Sequence, residues 1–212
     1  MELKDKYFIA IYTNEVKDYA KEKFFTPLFS YTQGGIVDNS TNPDYYKDLQ
    51  KITNLPVYHL SIPYAPRATL FQRNVAESVS YLRDLFLKTD CEYFLVLESD
   101  VIVSPTFLED INNSLSKLPE NWGALGCLYY EGFHDYAKDG LHQTNHVLSG
   151  ATVYKRAAIE KYPFRWSEEN LGAFPDAWWS IDAGTEFSLW NNHDIKFEHL
   201  HTTHGTRYSK DL

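Results

Sequence analysis

The chain has 212 residues, 43% of them hydrophobic, with 29 acidic against 20 basic side chains and a formal net charge of −9. That length is one domain, large enough to bury a core without a metal or disulfide staple, and the acidity argues against a nucleic-acid surface, which needs a basic stripe to displace counterions. Cys91 and Cys127 lack metal-ligand spacing and read as free, packed thiols; with no apolar run long enough for a membrane span and no signal-peptide pattern, a soluble cytoplasmic protein is expected.

Tyr7 to Tyr12 is predicted as a first strand and Glu15 to Phe25 as a helix. Gly34-Gly35 permits a tight entry into a short strand, Ile36-Val37, which stops at Asp38 in a run dense in turn formers. Asp38 therefore organises an Asx-turn, or it accepts hydrogen bonds from a ribose or base edge at the carboxyl end of its strand. Val57 to Ser61 reads as a third strand, followed by Pro63 and Pro66. Thr69 and Gln72 match a capping box, and Phe71, Val75, Val79, Leu82 and Phe86 mark the buried stripe of a helix from about Leu70 to Leu87. Arg67 and Arg73 at its start oppose the helix dipole by about 0.3–1 kcal/mol unless an anion lies nearby. The other reading of Arg73 is an ion pair with Glu77, four residues on.

Tyr93 to Glu98 contains no loop former and reads as a strand buried on both faces, as in a parallel sheet covered by helices. Ser104 is placed to cap the following helix with Pro105 at its first position, and Phe107, Leu108, Ile111, Leu115 and Leu118 form one face of it. Glu98, Ser99 and Asp100 then lie at the carboxyl end of the strand, where open α/β sheets bind ligands. Two hard oxygen donors two residues apart suit a divalent cation that itself holds a diphosphate; the other reading is a plain acidic turn.

Trp122 to Leu128 is a further strand, and residues 129 to 146, polar and mixed with Gly132, Gly140 and three His, read as a loop near the site. Val147 to Tyr154 returns to strand character, with Gly150 allowing close approach of a ligand to the backbone, and Arg156 to Lys161 is a short helix. Phe164, Trp166, Phe174, Trp178 and Trp179 crowd residues 163 to 181, as packing or as an acceptor platform. Thr185 to Asn192 is predicted as a helix, with Glu186 in its first turn and Asp182 near its N-terminus. His199 and His201 share a strand face and His204 follows in a turn, a set of imidazoles suited to a metal.

Taken in order, these segments resemble a nucleotide-sugar glycosyltransferase of the GT-A fold, close to the inverting family 2 type. Ile36-Val-Asp38 is similar to that family's second strand with its nucleoside-binding Asp, and Gln72-Arg73-Asn74-Val-Ala76 to the helix start beside the diphosphate. Leu97-Glu98-Ser99-Asp100 stands where the family has its metal-binding Asp-x-Asp, and Ser149-Gly150-Ala151 with Lys155-Arg156 resembles the later strand and helix lining the sugar and acceptor. Ile181-Asp182 to Leu189 is similar to the catalytic acidic helix, and His204-Gly205 to the late metal-ligating His. Two departures stand out. Glu98 replaces the first Asp of the metal motif, and Ala183-Gly184 occupies the nearest register to the family's Glu-Asp pair.

The resemblance implies an α/β, single-domain GT-A structure over residues 1–212, a Rossmann-like mixed but mainly parallel sheet flanked by helices. Residues 1–105 would be the nucleotide-binding half and 106–212 the acceptor and catalytic half. It further implies a Mn²⁺ or Mg²⁺ held by Asp100, His204 and Glu98, and a nucleoside diphosphate sugar donor contacted by Asp38, Arg73, Asn74, Ser99 and Gly150. Asp182, with Glu186 as the alternative, would take a proton from a hydroxyl acceptor, carbohydrate or other, giving inversion. Three other readings stay open: a binding module for nucleotide or carbohydrate that has lost activity, a sugar nucleotidyltransferase, though Tyr12-Thr-Asn-Glu-Val lacks the Gly-rich phosphate loop, and a zinc hydrolase built on the three late histidines.

Overall fold

A computed structural model describes residues 3–25, 31, 33–62, 67–127, 140–148, 150–169, 174–195, 197–201 and 205–208, with the backbone alone at 67–70, 201 and 205–208. In chain order the strands are β1 (Tyr7–Thr13), β2 (Gly34–Asp38), β3 (Val57–His59), β4 (Tyr93–Glu98), β5 (Val101–Val103), β6 (Trp122–Cys127), β7 (Leu141–Thr144), β8 (Ala151–Lys155), β9 (Ser188–Asn192), β10 (Phe197–His201) and β11 (Gly205–Tyr208). The helices are α1 (Lys21–Phe25), α2 (Pro43–Ile52), α3 (Arg67–Phe86), α4 (Phe107–Leu115), α5 (Arg156–Lys161) and α6 (Pro175–Ala183), with a 3-10 helix over Glu15–Ala20.

Eight strands form one sheet in the order β3-β2-β1-β4-β8-β6-β9-β7. The pairs among β3, β2, β1 and β4 are parallel, as is β6 with β9, while β8 runs antiparallel to β4 and β6, and β7 antiparallel to β9. The alternation along the central strands explains why helices cover both faces. Tyr7, Ile9 and Ile11 of β1 join Leu95 and Leu97 of β4 in one core with Tyr45 and Leu49 of α2 and Phe107 and Ile111 of α4. Phe8 and Ala10 join Phe94 and Val96 in the other, with Val75, Val79 and Leu82 of α3 and Trp179 of α6. The sequence expectation of a mixed, mainly parallel sheet flanked by helices is met.

The topology reverses around β1, which lies between β2 and β4 and is parallel to both. Register sets Thr13 against Asp38 and Tyr12 against Glu98, so three carboxyl ends meet at one edge. Gly34 makes this register possible, because a Cβ there would strike the Ile9 carbonyl. A second, three-stranded sheet, β11-β10-β5, hangs from the end of β4.

Several boundaries differ from the sequence reading. Helix α3 starts at Arg67, which places Thr69 inside it instead of at the cap. Helix α4 starts at Phe107 behind Thr106, and the Phe107 N–H donates to the Ser104 carbonyl, so Ser104-Pro105 forms the preceding turn. The Glu15–Phe25 helix is a 3-10 segment capped by the Asn14 side chain and followed by α1. Residues 185 to 192 are not a helix: Ser188–Asn192 is β9, held parallel to β6, with Ser188, Leu189, Asn191 and Asn192 buried. The helix lies earlier, over Pro175–Ala183, with Pro175 in its first turn. Part of the expected 129–146 loop is β7, a half-exposed edge strand, whereas Val147 leaves the ladder and bonds the Ser180 hydroxyl. Cys91 and Cys127 are buried and free. No described helix is long and apolar enough to cross a membrane.

Candidate active site

Strand β4 delivers Glu98 to the sheet edge, and the chain turns through Ser99 and Asp100 into β5. Strand β10 lies antiparallel to β5 with His199 opposite Val101, and the Leu200 N–H donates to the Asp100 carbonyl at 2.9 Å. This pairing brings His199 Nε2 to 3.4 Å from Asp100 Oδ2 and 3.9 Å from Glu98 Oε2. One ligand atom from each of the three residues falls within 4.8 Å of the others. Asp100 and His199 are buried, while Glu98 is only partly so.

Hydrogen bonds hold these groups in place. Glu98 Oε1 accepts from the Tyr12 hydroxyl at 2.8 Å, and the Glu98 N–H donates to the Gly150 carbonyl at 2.9 Å. Asp100 Oδ2 accepts from the Tyr19 hydroxyl at 2.8 Å and is ion-paired with Lys17. Burial pushes the Asp100 carboxyl up, but the His199 hydrogen bond and the Lys17 charge outweigh it and hold its pKa at about 2. Among the described residues, Asp100 Oδ1 is buried without a hydrogen-bond partner. Such an oxygen is costly unless something positive meets it, and two carboxylates with an imidazole are a donor set that Mn²⁺ accepts readily and Mg²⁺ accepts through its oxygens. The residues present fit a divalent cation.

The cluster opens into a cleft of about 310 Å³. It is lined by Tyr12, Lys17, Glu98 and His199 together with the apolar Phe71, Val75, Leu148, Phe174 and Pro175, and by Gly150 and Asp176. A smaller lobe of about 40 Å³ continues between Thr13, Asn14, Asn39, Asn74 and Ser99. Among the described residues, the Oδ1 atoms of Asn39 and Asn74 and the Ser99 hydroxyl, all on residues that line this lobe, are buried without hydrogen-bond partners.

Asp176 lies in the first turn of α6, where the helix dipole favours a carboxylate. It is buried, its Oδ1 accepts from the Ala177 N–H at 2.8 Å, and His146 Nε2 stands 3.9 Å from its Oδ2. It is a carboxylate in the cleft wall, on a different element from the cation cluster.

Of the residues singled out in sequence, Glu98, Ser99, Asp100, Asn74 and Gly150 come together around this cleft. Others are engaged elsewhere. Asp38 is buried behind the edge and accepts from the Ser40 N–H at 3.1 Å, the Ser40 hydroxyl at 2.9 Å and His59 Nδ1 at 2.8 Å. Arg73 pairs with Glu77 and sets its guanidinium 5.5 Å from the Trp166 ring centre. Asp182 sits in the last turn of α6, outside the cleft lining, with its two oxygens on Arg165 Nε and Nη2 at 2.7 and 3.0 Å. Glu186 is exposed and takes Lys161 and the Tyr162 hydroxyl. Arg165 and Lys161 thus neutralise the two carboxylates expected to be catalytic. His204 and the side chain of His201 lie outside the described residues, and His199 is the imidazole that meets the carboxylates. Sequence reasoning passed over Asp176, whose signal was Pro175 followed by an acid, and over Lys17, Tyr12 and Tyr19, which gave none.

No family model matches the sequence, and no curated protein does. Solved structures do match. A197 from STIV superposes with a TM-score of 0.54 at 15% identity, over 92% of this chain and 86% of that one. S. aureus TarS 1–349 in complex with UDP-GlcNAc gives 0.54 at 14%, over 88% of this chain and 58% of that one. Glucosyl-3-phosphoglycerate synthase from Mycobacterium tuberculosis, in complex with Mn²⁺, UDP-glucose and phosphoglyceric acid, gives 0.51 at 13%, over 84% and 63%. The chain spans less than two thirds of the last two structures. At these identities the likeness is one of fold, a single-domain Rossmann-like sheet of the GT-A type.

Proposed function

We propose that this GT-A-fold chain is a glycosyltransferase that moves a sugar from a uridine diphosphate sugar to a hydroxyl acceptor with inversion at the anomeric carbon. The observation that carries the reading is the Glu98, Asp100 and His199 cluster at the end of β4, beside a cleft whose lining also includes Asp176. The bound UDP and UDP-sugars of the structural neighbours support the donor class. Residues 1–105 would then hold the nucleotide and 106–212 supply the base and the acceptor wall.

The buried acceptors of Asn39 and Asn74 and the Ser99 hydroxyl would take ribose hydroxyls, with the diphosphate lying over Glu98, Asp100 and His199. A divalent cation bound by those three residues would neutralise charge on the departing diphosphate. Asp176 accepts the proton of the acceptor hydroxyl, whose oxygen attacks the anomeric carbon as the bond from that carbon to the diphosphate oxygen breaks. The Ala177 N–H, donating to Oδ1, fixes the orientation of the Asp176 carboxylate. General-base assistance of this kind is worth about 10²–10⁴-fold. Phe71 and Phe174, half-exposed and edge to face at 5.9 Å, present a flat apolar rim for a sugar ring.

The test is release of nucleoside diphosphate from a panel of nucleotide sugars with Mn²⁺, with Mg²⁺ and with EDTA. Slow release from a uridine donor, abolished by EDTA and by Asp100→Ala, is expected. Nucleotide binding without release from any donor, with or without acceptor sugars, would overturn transfer in favour of a binding module.

A further inference from the structure

We propose that Lys17 is the resident counter-ion of Asp100, displaced when a divalent cation binds and then set against the donor's diphosphate. The proposal rests on the reading that a metal-held nucleoside diphosphate sugar occupies the cleft. Lys17 belongs to the 3-10 helix that leaves the end of β1, and its ammonium is ion-paired with Asp100 Oδ2. The same residue lines both lobes of the cleft, and its side chain is 28% exposed, whereas Asp100 is fully buried.

The partners of Asp100 make the role specific. Oδ2 is taken by Lys17, the Tyr19 hydroxyl and, at 3.4 Å, His199, while Oδ1 has no hydrogen-bond partner among the described residues. Without a cation, one buried carboxylate beside Glu98 needs a positive charge, and Lys17 is the ammonium that supplies it. A divalent ion ligated by Asp100 would sit within a few ångströms of that ammonium, and two like charges on one buried carboxylate repel strongly. The ammonium therefore has to leave. Its flexible four-carbon stem already runs along the cleft wall, and the diphosphate is the nearest new anion. A lysine, as a compact mobile point charge, can serve both positions where a guanidinium fork would favour one. Metal and donor binding become linked: the ion frees the lysine, and the donor gives it a partner.

The experiment is Mn²⁺ binding, read by electron paramagnetic resonance of free Mn²⁺, on wild type, Lys17→Met, Lys17→Gln and Lys17→Arg, followed by calorimetric titration of UDP at saturating Mn²⁺. Circular dichroism establishes which variants are folded; Lys17→Gln serves if the apolar replacement does not fold. Expected are Mn²⁺ affinity about tenfold higher and UDP affinity about tenfold lower in the neutral variants, with Lys17→Arg near wild type in one of the two affinities but not in both. Mn²⁺ binding detected only in the neutral variants would support the proposal equally. Unchanged or weaker Mn²⁺ binding in folded neutral variants would overturn it while leaving the metal-dependent reading in place, and unchanged UDP affinity would overturn the relocation to the diphosphate. Mn²⁺ binding to none of the proteins would remove the metal site and this proposal together.

Discussion

Asp176 and Asp182 are carboxylates on the same helix, six positions apart in number and opposite in setting, so one pair of substitutions separates them. Asp176→Asn keeps the size of the side chain and an oxygen that can accept from the Ala177 N–H, but removes the basic oxygen from the cleft wall. Loss of a general base predicts a fall in kcat of about 10²–10⁴-fold, or about 2.7–5.5 kcal/mol of barrier. Asp182→Asn breaks a two-point ion pair with Arg165 whose side chains are 31% and 43% exposed. A pair so exposed is worth about 0.2–1 kcal/mol, which in a domain of this length moves Tm by about 0.4–4 °C. Its kcat should stay within about twofold of wild type, because nothing in the cleft is touched. The assay is the initial rate of transfer at saturating donor and acceptor, with thermal melts by circular dichroism on each variant. A collapse of kcat in Asp182→Asn together with full activity in Asp176→Asn would refute the assignment.

Two further predictions concern the frame around the cleft. Tyr12→Phe removes the hydroxyl that donates to Glu98 at 2.8 Å and should cost about 1.5–3 kcal/mol in urea unfolding, the range for a hydrogen bond to a charged group; no change in midpoint would mean that the carboxylate is held by water. Trp179→Ala empties a fully buried position whose indole donates to the Tyr162 carbonyl at 3.0 Å and packs 4.6 Å from the Tyr154 ring. It should cost about 3–5 kcal/mol, measured by the same unfolding, and a loss below that of an exposed substitution would count against α6 being anchored there.

The parts of the fold legible in sequence were those whose environment is uniform. Tyr93 to Glu98 reads as a strand because both its faces are buried, and α3 reads as a helix because Val75, Val79, Leu82 and Phe86 repeat at helical spacing against a single sheet face. From there Glu98 and Asp100 followed, since a carboxylate just past a buried strand has only the sheet edge to occupy. Ser188 to Asn192 was misread because a five-residue buried strand with two Asn has no alternation, and its parallel pairing to β6 is a tertiary fact. That error displaced the helix, so Asp182, read as lying near its N-terminus, sits in its last turn. Lys17 and Tyr19 could not be found from spacing, because their contacts to Asp100 span 83 and 81 residues and depend on the turn of the chain after β1.

The distribution of the cation cluster along the chain also bears on the order in which a newly made polypeptide can build it. Lys17 and Tyr19 precede Asp100, whereas His199 arrives only with β10, which must add antiparallel to β5. During synthesis the emerging first half can already bury Asp100 against an ammonium and a phenol, without waiting for the imidazole. Pairing of β10 with β5 then completes the cation cluster on a carboxylate that already has two companions from earlier in the chain.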